Sequence, residues 1–217
     1  MAIERYIVEK QAGQIKTALG GILKLVKEKG IGKVTLVVPN KRNFEDLEFA
    51  KALGPAAKAL VKGQPAGVTE GVPMALESTS TFRATAGQGL LVGVHISTKD
   101  MAKLDDAWGA QVILYLPWNN EEAQEWKATW QPKTIGPKGE EAQPSSLSEP
   151  VEEALKRLTG MINLGTGLSH PLDKQHAQRT FEKLRSEGHS FDPAEVRRWA
   201  QRHNWSSGGA ADLEKVA

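Results

Sequence analysis

Three apolar segments of the sequence each end in a cluster of polar side chains, at 39–43, 95–100 and 117–120. The chemically competent residues of the first two clusters are Asn40, Lys41, Arg42, His95 and Lys99. Lysine and arginine pair with phosphate or carboxylate groups, and histidine transfers protons near neutral pH. If the apolar segments are parallel strands, the clusters lie at one edge of a sheet, where open α/β sheets bind ligands. The pattern predicts a small-molecule site there, although helix caps and solvated loops have the same composition.

His95 is the candidate general acid or base in an enzymatic interpretation of this edge, with Lys99 and Asn40 as candidate partners. A catalytic histidine usually has a carboxylate that holds the imidazole in one orientation. The nearby carboxylates are Asp100, Asp105 and Asp106. A lone histidine at the end of a strand is more often structural than catalytic, so both interpretations stay open.

The sequence lacks the motifs of familiar enzyme classes. No glycine-rich segment lies between a predicted strand and helix as a phosphate-binding loop requires, and no Gly-x-Ser-x-Gly nucleophile motif occurs. With no cysteine, the chain has no thiol nucleophile and no thiolate metal site. His170, Asp173 and His176 place only two candidate ligands on one helix face, fewer than a metal site needs. We therefore expect no metal and no cofactor, and we favour a non-catalytic binding protein over an enzyme.

Charge is segregated along the chain, although the net charge is only +2. Residues 1–63 carry 12 basic and 6 acidic side chains, residues 64–155 carry 6 and 13, and residues 156–217 carry 10 and 7. A basic segment attracts polyanions, but it can equally pair with an acidic segment of the same fold. The polyanion hypothesis makes nucleic acid the ligand and assigns its contacts to Lys41, Arg42, Arg197, Arg198 and Arg202.

The periodicity of apolar residues predicts an α/β domain over residues 1–130. Apolar side chains at three- and four-residue spacing predict a helix over 11–29. Alternating or continuous apolar runs predict strands at 34–38, 74–82, 90–96 and 111–116. Strands that alternate with helices favour a three-layer fold, in which helices flank a mostly parallel, twisted sheet of three or four strands.

A polar segment separates this domain from a small helical module. Residues 131–149 are rich in proline, glycine and serine, which is typical of a linker. Residues 150–217 then show apolar stripes at helical spacing. Asp192, Pro193 and Glu195 combine an N-cap, a first-position proline and a third-position glutamate, so they predict a helix start.

Four tryptophans fall within 23 residues: Trp108, Trp118, Trp126 and Trp130. Large aromatic side chains fill cores, and they anchor interfaces when they are exposed. We expect Trp108 and at least one of Trp126 and Trp130 in the core. An exposed Trp118 or Trp130 is the candidate contact with a ligand or partner, so a structural partner in a larger assembly is a further hypothesis.

The C-terminal module contains DPAEVRRWA at residues 192–200 and NWS at 204–206. These residues resemble the helix-turn opening of the DNA-binding module of actinobacterial nucleoid-associated silencers, and they are similar to the peripheral-subunit-binding domain of 2-oxoacid dehydrogenases. In the silencers, an Arg-Gly-Arg after the first helix enters the DNA minor groove. The corresponding residues 206–209 are Ser-Ser-Gly-Gly. The resemblance therefore implies the helical scaffold and a nucleic-acid or protein partner, without the arginines that read DNA.

The composition also restricts where the chain can reside. No apolar run reaches 18 residues, so we expect no membrane-spanning segment. Charged residues within 1–10 argue against a secretory signal. A cytoplasmic location is the default expectation, and the sequence leaves the oligomeric state open.

Overall fold

The structure is a computed structural model that describes residues 3–69, 71–84, 89–137 and 147–217. The described chain divides into two compact units. The first contains the residues up to 127 together with 131–137, and the second contains 128–130 together with 147–217. Each unit has its own apolar core, as an independent domain requires.

Within the described residues, the first unit contains a seven-stranded sheet with the strand order β3-β4-β2-β5-β6-β1-β7. Neighbouring strands pair in parallel except β3, which runs antiparallel to β4 at one edge. The strand bounds are β1 Glu4–Ile7, β2 Val34–Val38, β3 Ala66–Thr69, β4 Val72–Ser78, β5 Gly89–Val94, β6 Ala110–Leu116 and β7 Lys133–Thr134. Every residue of β2 and β5 is buried, because helices cover both faces of a parallel sheet.

Helices connect the parallel strands. Their bounds are α1 Gln14–Lys29, the short 3-10 helix η1 Lys41–Asp46, α2 Glu48–Leu53, α3 Pro55–Val61, α4 Thr98–Asp105 and α5 Asn120–Trp130. Gly30 ends α1 in the left-handed conformation, with φ 61°, and its amide donates to the Val26 carbonyl. Ser97 caps α4 and Asn119 caps α5, each through a side-chain oxygen that accepts a backbone N–H.

Successive side chains of a strand pack against helices on opposite faces of the sheet. Val34 and Leu36 of β2 lie in one apolar cluster with Ile22 of α1. On the other face, the ring of Tyr115 in β6 meets that of Trp126 in α5 at a centroid distance of 5.3 Å. The sheet is therefore the middle of three layers, and the predicted α/β class is confirmed.

The predicted count of three or four strands was too low. The strands β1 and β7 have four and two residues, which is too short for periodicity to show. The strand β3 lies in a segment rich in glycine and proline that shows no strand pattern. The strand predicted at 74–82 is β4, which ends at Ser78, and β3 pairs with one of its edges.

Two of the tryptophan predictions can be compared directly with the structure. The prediction that Trp108 packs in the core is wrong, because its side chain is 73% exposed in the turn between α4 and β6. Trp126 is buried, as expected for one member of the pair on α5. In the segment predicted to be a linker, residues 133–134 form β7 and Glu149 begins the next helix, while 138–146 lie outside the described residues.

The described part of the second unit consists of helices α6 Glu149–Met161, α7 Pro171–Ser186, α8 Pro193–Arg202 and α9 Ser207–Val216. Their apolar stripes meet in a core that includes Phe181 and Trp199, both fully buried. Asp192 caps α8 by accepting the amide of Ala194, so the predicted helix start is confirmed. The side chain of Asp173 does not cap α7, because the chain enters that helix at His170 and Asp173 already lies in its first turn.

Candidate functional site

The strands β1, β5 and β6 bring three polar chain segments to the same edge of the sheet. Ile7 of β1 lies opposite Tyr115 of β6, and Val94 of β5 lies opposite Leu116. The residues that follow these positions therefore leave the sheet side by side at its carboxyl edge. This is the edge where the sequence predicted a site. We call the three chain segments that follow β1, β5 and β6 at this edge the carboxyl-edge site.

His95 has an unusual conformation at the end of β5. Its φ is 54°, in the left-handed region that few residues other than glycine occupy, and its backbone amide donates to the Leu116 carbonyl over 2.8 Å. Both ring nitrogens are buried, and neither has a hydrogen-bond partner in the part of the chain that the structure describes. Burial lowers the pKa of His95, and the ammonium of Lys10 lowers it further against a weaker opposing effect of Glu48. The imidazole is therefore neutral at pH 7.

Trp118 joins His95 to the loop that follows β1. The indole meets the imidazole edge to face, with ring centroids 4.9 Å apart. The ammonium of Lys10 lies 5.8 Å from the centroid of the same indole, within the range of a cation–π contact. Trp118 is nevertheless 57% exposed, so its ring is a surface side chain that packs beside a buried polar group.

Three sets of contacts fix the loop between β1 and α1. The ammonium of Lys127 lies 2.5 Å from the carboxylate of Glu9, and both side chains are buried. The Asn120 amide group accepts the backbone N–H of Lys10 and donates to its carbonyl, over 2.7 and 3.1 Å. The Gln14 amide nitrogen donates to the carbonyls of Val8 and Pro117, over 2.9 and 3.2 Å. The loop is therefore held in place before any ligand arrives, as a binding site on a rigid scaffold requires.

A groove of about 600 Å³ opens beside this loop. Its lining residues come from the loop, the first turns of α1 and the helix α2: Lys10, Gln11, Ala12, Gly13, Gln14, Ile15, Lys16, Leu19, Glu48 and Ala52. This volume lies within the usual range of small-molecule sites. Lys10 belongs both to the groove and to the cation–π contact with Trp118, so the groove and the carboxyl-edge site share this side chain.

A second polar cluster lies at the end of β4, but its members satisfy one another. The hydroxyl of Ser78 lies 2.9 Å from that of Ser80 and 3.0 Å from that of Thr81. Thr81 donates to the Glu77 carboxylate over 2.6 Å, and the Lys41 ammonium lies 3.2 Å from it. Desolvation acts to raise the pKa of Glu77, but the hydrogen bonds from Thr81 and Lys41 outweigh it and the pKa is lowered. These contacts stabilise the turn after β4 and leave no buried polar atom of it unpaired among the described residues.

The structure does not join His95 to the catalytic partners that the sequence suggested. The side chain of Asn40 accepts the amide of Arg42 and so caps η1, and Lys99 is exposed. Asp100 pairs with Lys103, and Asp105 accepts from Arg5 and from the indole of Trp126. Because neither ring nitrogen of His95 has a partner in the described chain, no carboxylate orients this imidazole.

Three of the five cations of the polyanion hypothesis make ion pairs within their own units. Lys41 pairs with Glu77 in the first unit. In the second unit Arg197 lies 3.4 Å from Glu214, and Arg198 pairs with Glu195. Arg42 is exposed and Arg202 half-buried, and neither forms an ion pair within the described residues. Trp130 at the end of α5 is also half-buried.

A larger groove, of about 730 Å³, lies in the second unit between α6 and α7. Its apolar floor includes Ala154 and Leu184, and its rim carries the surface pairs of Arg157 with Glu153 and Lys183 with Glu187. None of its described lining residues holds a buried polar atom without a partner. The groove between α6 and α7 is therefore notable only for its volume. The carboxyl-edge site contains buried polar atoms that have no hydrogen-bond partner in the described chain.

Other site types are not found in the described part of the chain. No group of three or more histidine and acidic side chains is placed to hold a metal ion. No helix there combines the length and the apolar character that a membrane crossing needs.

Sequence reasoning found His95 and Trp118 but missed Lys10 and Gln14. The missed residues follow β1, which is too short for its pattern to show in the sequence. The available signal was Gly13, because a glycine directly before a long amphipathic helix can hold the chain in a left-handed turn.

Comparison with known protein families gives a match within the second unit. Residues 147–217 match the model of a family described as a domain of unknown function, DUF1889. No curated protein matches the chain. No solved structure matches it either. The family match assigns no activity, and the resemblance of residues 192–206 to silencer modules stays a prediction.

Proposed function

We propose that this protein is a binding protein for a small molecule, and that the ligand binds at the carboxyl-edge site between His95 and Trp118. The observation that carries the proposal is the state of His95. A residue other than glycine in the left-handed region costs about 1–3 kcal/mol. A buried polar group without a partner costs about 1–3 kcal/mol more. Costs of this size concentrate at functional sites, where a ligand supplies the missing contacts.

The neutral imidazole presents one donor and one acceptor nitrogen. A ligand with a hydroxyl, an amide or a ring nitrogen can form a hydrogen bond with one of these two nitrogens. The indole of Trp118 packs edge to face beside this imidazole, and it can move aside readily because more than half of its surface faces solvent. It then offers an aromatic face to the ligand. Support also comes from the rigid loop after β1, which needs no reorganisation on binding.

The experiment uses the full chain and a panel of small phosphorylated and carboxylated metabolites, screened by thermal shift and quantified by calorimetry. We expect at least one compound to bind, with a Kd that rises about tenfold in Trp118→Ala. The matched control is Trp108→Ala, which removes another exposed indole from the turn before β6, at the opposite edge of the sheet. Equal effects of the two substitutions, or no binding by any compound, would contradict the proposal.

An enzyme at the same site is the second candidate, and one observation favours it. A neutral imidazole with an unpaired nitrogen can act as a general base. If the bound compound is turned over, His95→Gln should abolish turnover and leave the Kd within about threefold, since glutamine preserves one hydrogen-bonding group. Binding without turnover supports the non-catalytic alternative.

The polyanion hypothesis has less support than the carboxyl-edge site. Three of its five cations already pair with carboxylates of the chain, and such pairs have to break before phosphate can bind. A labelled DNA duplex titrated with the protein tests it. Binding that weakens steeply with added salt would favour nucleic acid, and no binding at low salt would exclude it.

A further inference from the structure

We propose that the ligand of the carboxyl-edge site is a small anion that also carries a hydrogen-bond donor, and that its anionic group binds at the start of α1. This inference rests on the proposed function, because the groove beside α1 and the carboxyl-edge site share Lys10. It adds the chemical class of the ligand and the direction in which the ligand lies.

The first turn of α1 has backbone donors without acceptors. Gly13 occupies the N-cap position with φ 77°, and no side chain caps the helix. The amide of Gln14 donates to the Gln11 carbonyl, and the first helical bond runs from Thr17 to Gly13. The amides of Ile15 and Lys16 therefore have no acceptor in the described chain, and both residues line the groove. Unpaired amides and the helix dipole together attract an anion.

The charges around the groove give the ligand a direction. Lys10 and Lys16 line it near the helix start, and Glu48 lines it from α2. A simple anion gains from the two ammonium groups and is repelled by the carboxylate of Glu48. A molecule with a negative group and a hydrogen-bond donor can place the negative group near the two ammonium groups and the donor near the carboxylate of Glu48.

Gln14 is an independent indication of a donor on the ligand. Gln14 is only 2% exposed and is one of the residues that line the groove. The amide nitrogen is fully used, because it donates to the carbonyls of Val8 and Pro117. Those two bonds fix the amide orientation, and the side-chain carbonyl oxygen is left without any donor in the described chain. Buried acceptors are rarely left unpaired, so a hydroxyl or ammonium group of the ligand is its natural partner.

The first test is a titration of the full chain with inorganic phosphate, followed by the backbone amide resonances of Ile15 and Lys16. We expect both resonances to shift with a common Kd. Lys16→Gln should weaken phosphate binding about fivefold. The matched control is Lys24→Gln, which makes the same charge change in the middle of α1, where the lysine is exposed and outside the groove. Unshifted amides, or equal weakening by the two substitutions, would overturn the inference.

The second test separates an anion from an anion with a donor. Phosphoethanolamine and ethyl phosphate are close in size, but only the first carries an ammonium group. We expect phosphoethanolamine to bind about tenfold more tightly to the wild type, and Glu48→Gln to remove most of this difference. Equal affinities in the wild type would overturn the assignment of a donor.

The two proposals can fail separately. If phosphate shifts Ile15 and Lys16 while no ligand responds to Trp118→Ala, the anion site stands and the proposed function fails. If a ligand responds to Trp118→Ala but phosphate leaves both amides unshifted, the proposed function stands and this inference fails.

Discussion

The buried ion pair of Glu9 and Lys127 gives the sharpest prediction about how the site is built. Replacing Lys127 by methionine keeps most of the side-chain volume and leaves the Glu9 carboxylate, 7% exposed, without its cation. At 2.5 Å and an effective dielectric constant of about 20, the Coulomb attraction between two unit charges is roughly 7 kcal/mol. The desolvation of two ions costs several kcal/mol each, so the intact pair adds little net stability.

Removing one partner takes away the attraction and leaves the desolvation cost of the other. We therefore expect Lys127→Met to lower the free energy of unfolding by about 3–5 kcal/mol. The double variant Glu9→Leu, Lys127→Met removes both charges and should recover most of this loss.

Urea unfolding of the wild type, both single variants and the double variant at pH 7 measures these free-energy differences. Additive losses in the double-mutant cycle would refute the reasoning, because they would mean that the two side chains do not interact. A cost below about 1 kcal/mol for Lys127→Met would refute it as well, because that is the range of a solvent-exposed pair.

Two further predictions concern stability. Gly89→Ala should lower the free energy of unfolding in urea by about 2–4 kcal/mol, because φ is 68° there and the new Cβ would lie 2.5 Å from the Lys33 carbonyl oxygen. Gly20→Ala, on the open face of α1, should raise it by up to about 1 kcal/mol. Similar effects of the two substitutions would contradict this prediction. Hydrogen bonds from Lys29, Lys133 and Tyr6 lower the pKa of Glu4 to about 2, so the carboxylate adds stability above its ordinary pKa of 4.5 that is lost as the pH falls towards 2. Because Glu4 is a third exposed, we expect only about 1 kcal/mol, measured as the difference between wild type and Glu4→Gln at pH 6 that disappears at pH 2.

The elements that the sequence predicted well are those with long periodic patterns or strong caps. The helix α1 is long enough for apolar residues to recur at helical spacing over several turns, and it ends at Lys29 as predicted. The strand β2 is a run of aliphatic and β-branched residues, which is typical of a strand covered on both faces. The sequence did not predict the short strands β1 and β7 at the margin of the sheet. Two to four residues show no measurable periodicity, and their position in the sheet depends on partners distant in the sequence.

The candidate site was half predictable for a similar reason. The position of His95 after an apolar strand placed it at the carboxyl edge. Its left-handed backbone and its unpaired nitrogens depend on packing against Trp118, which no local pattern encodes. The exposure of Trp108 was misjudged because composition favours burial of tryptophan, whereas a turn between helix and strand offers that side chain no covering element.

The state of the His95 imidazole tests the central claim most directly. Its ring ¹⁵N resonances can be recorded in the full chain as the pH is lowered, with and without the tightest compound from the metabolite panel. We expect the unbound protein's imidazole to take up its proton only below the ordinary pKa of 6.5, and its ring nitrogen resonances to shift when the ligand binds. Titration of the imidazole near 6.5 would contradict a site built around His95. Ring nitrogen resonances that do not shift when the compound binds would contradict it as well, because the compound would then bind elsewhere.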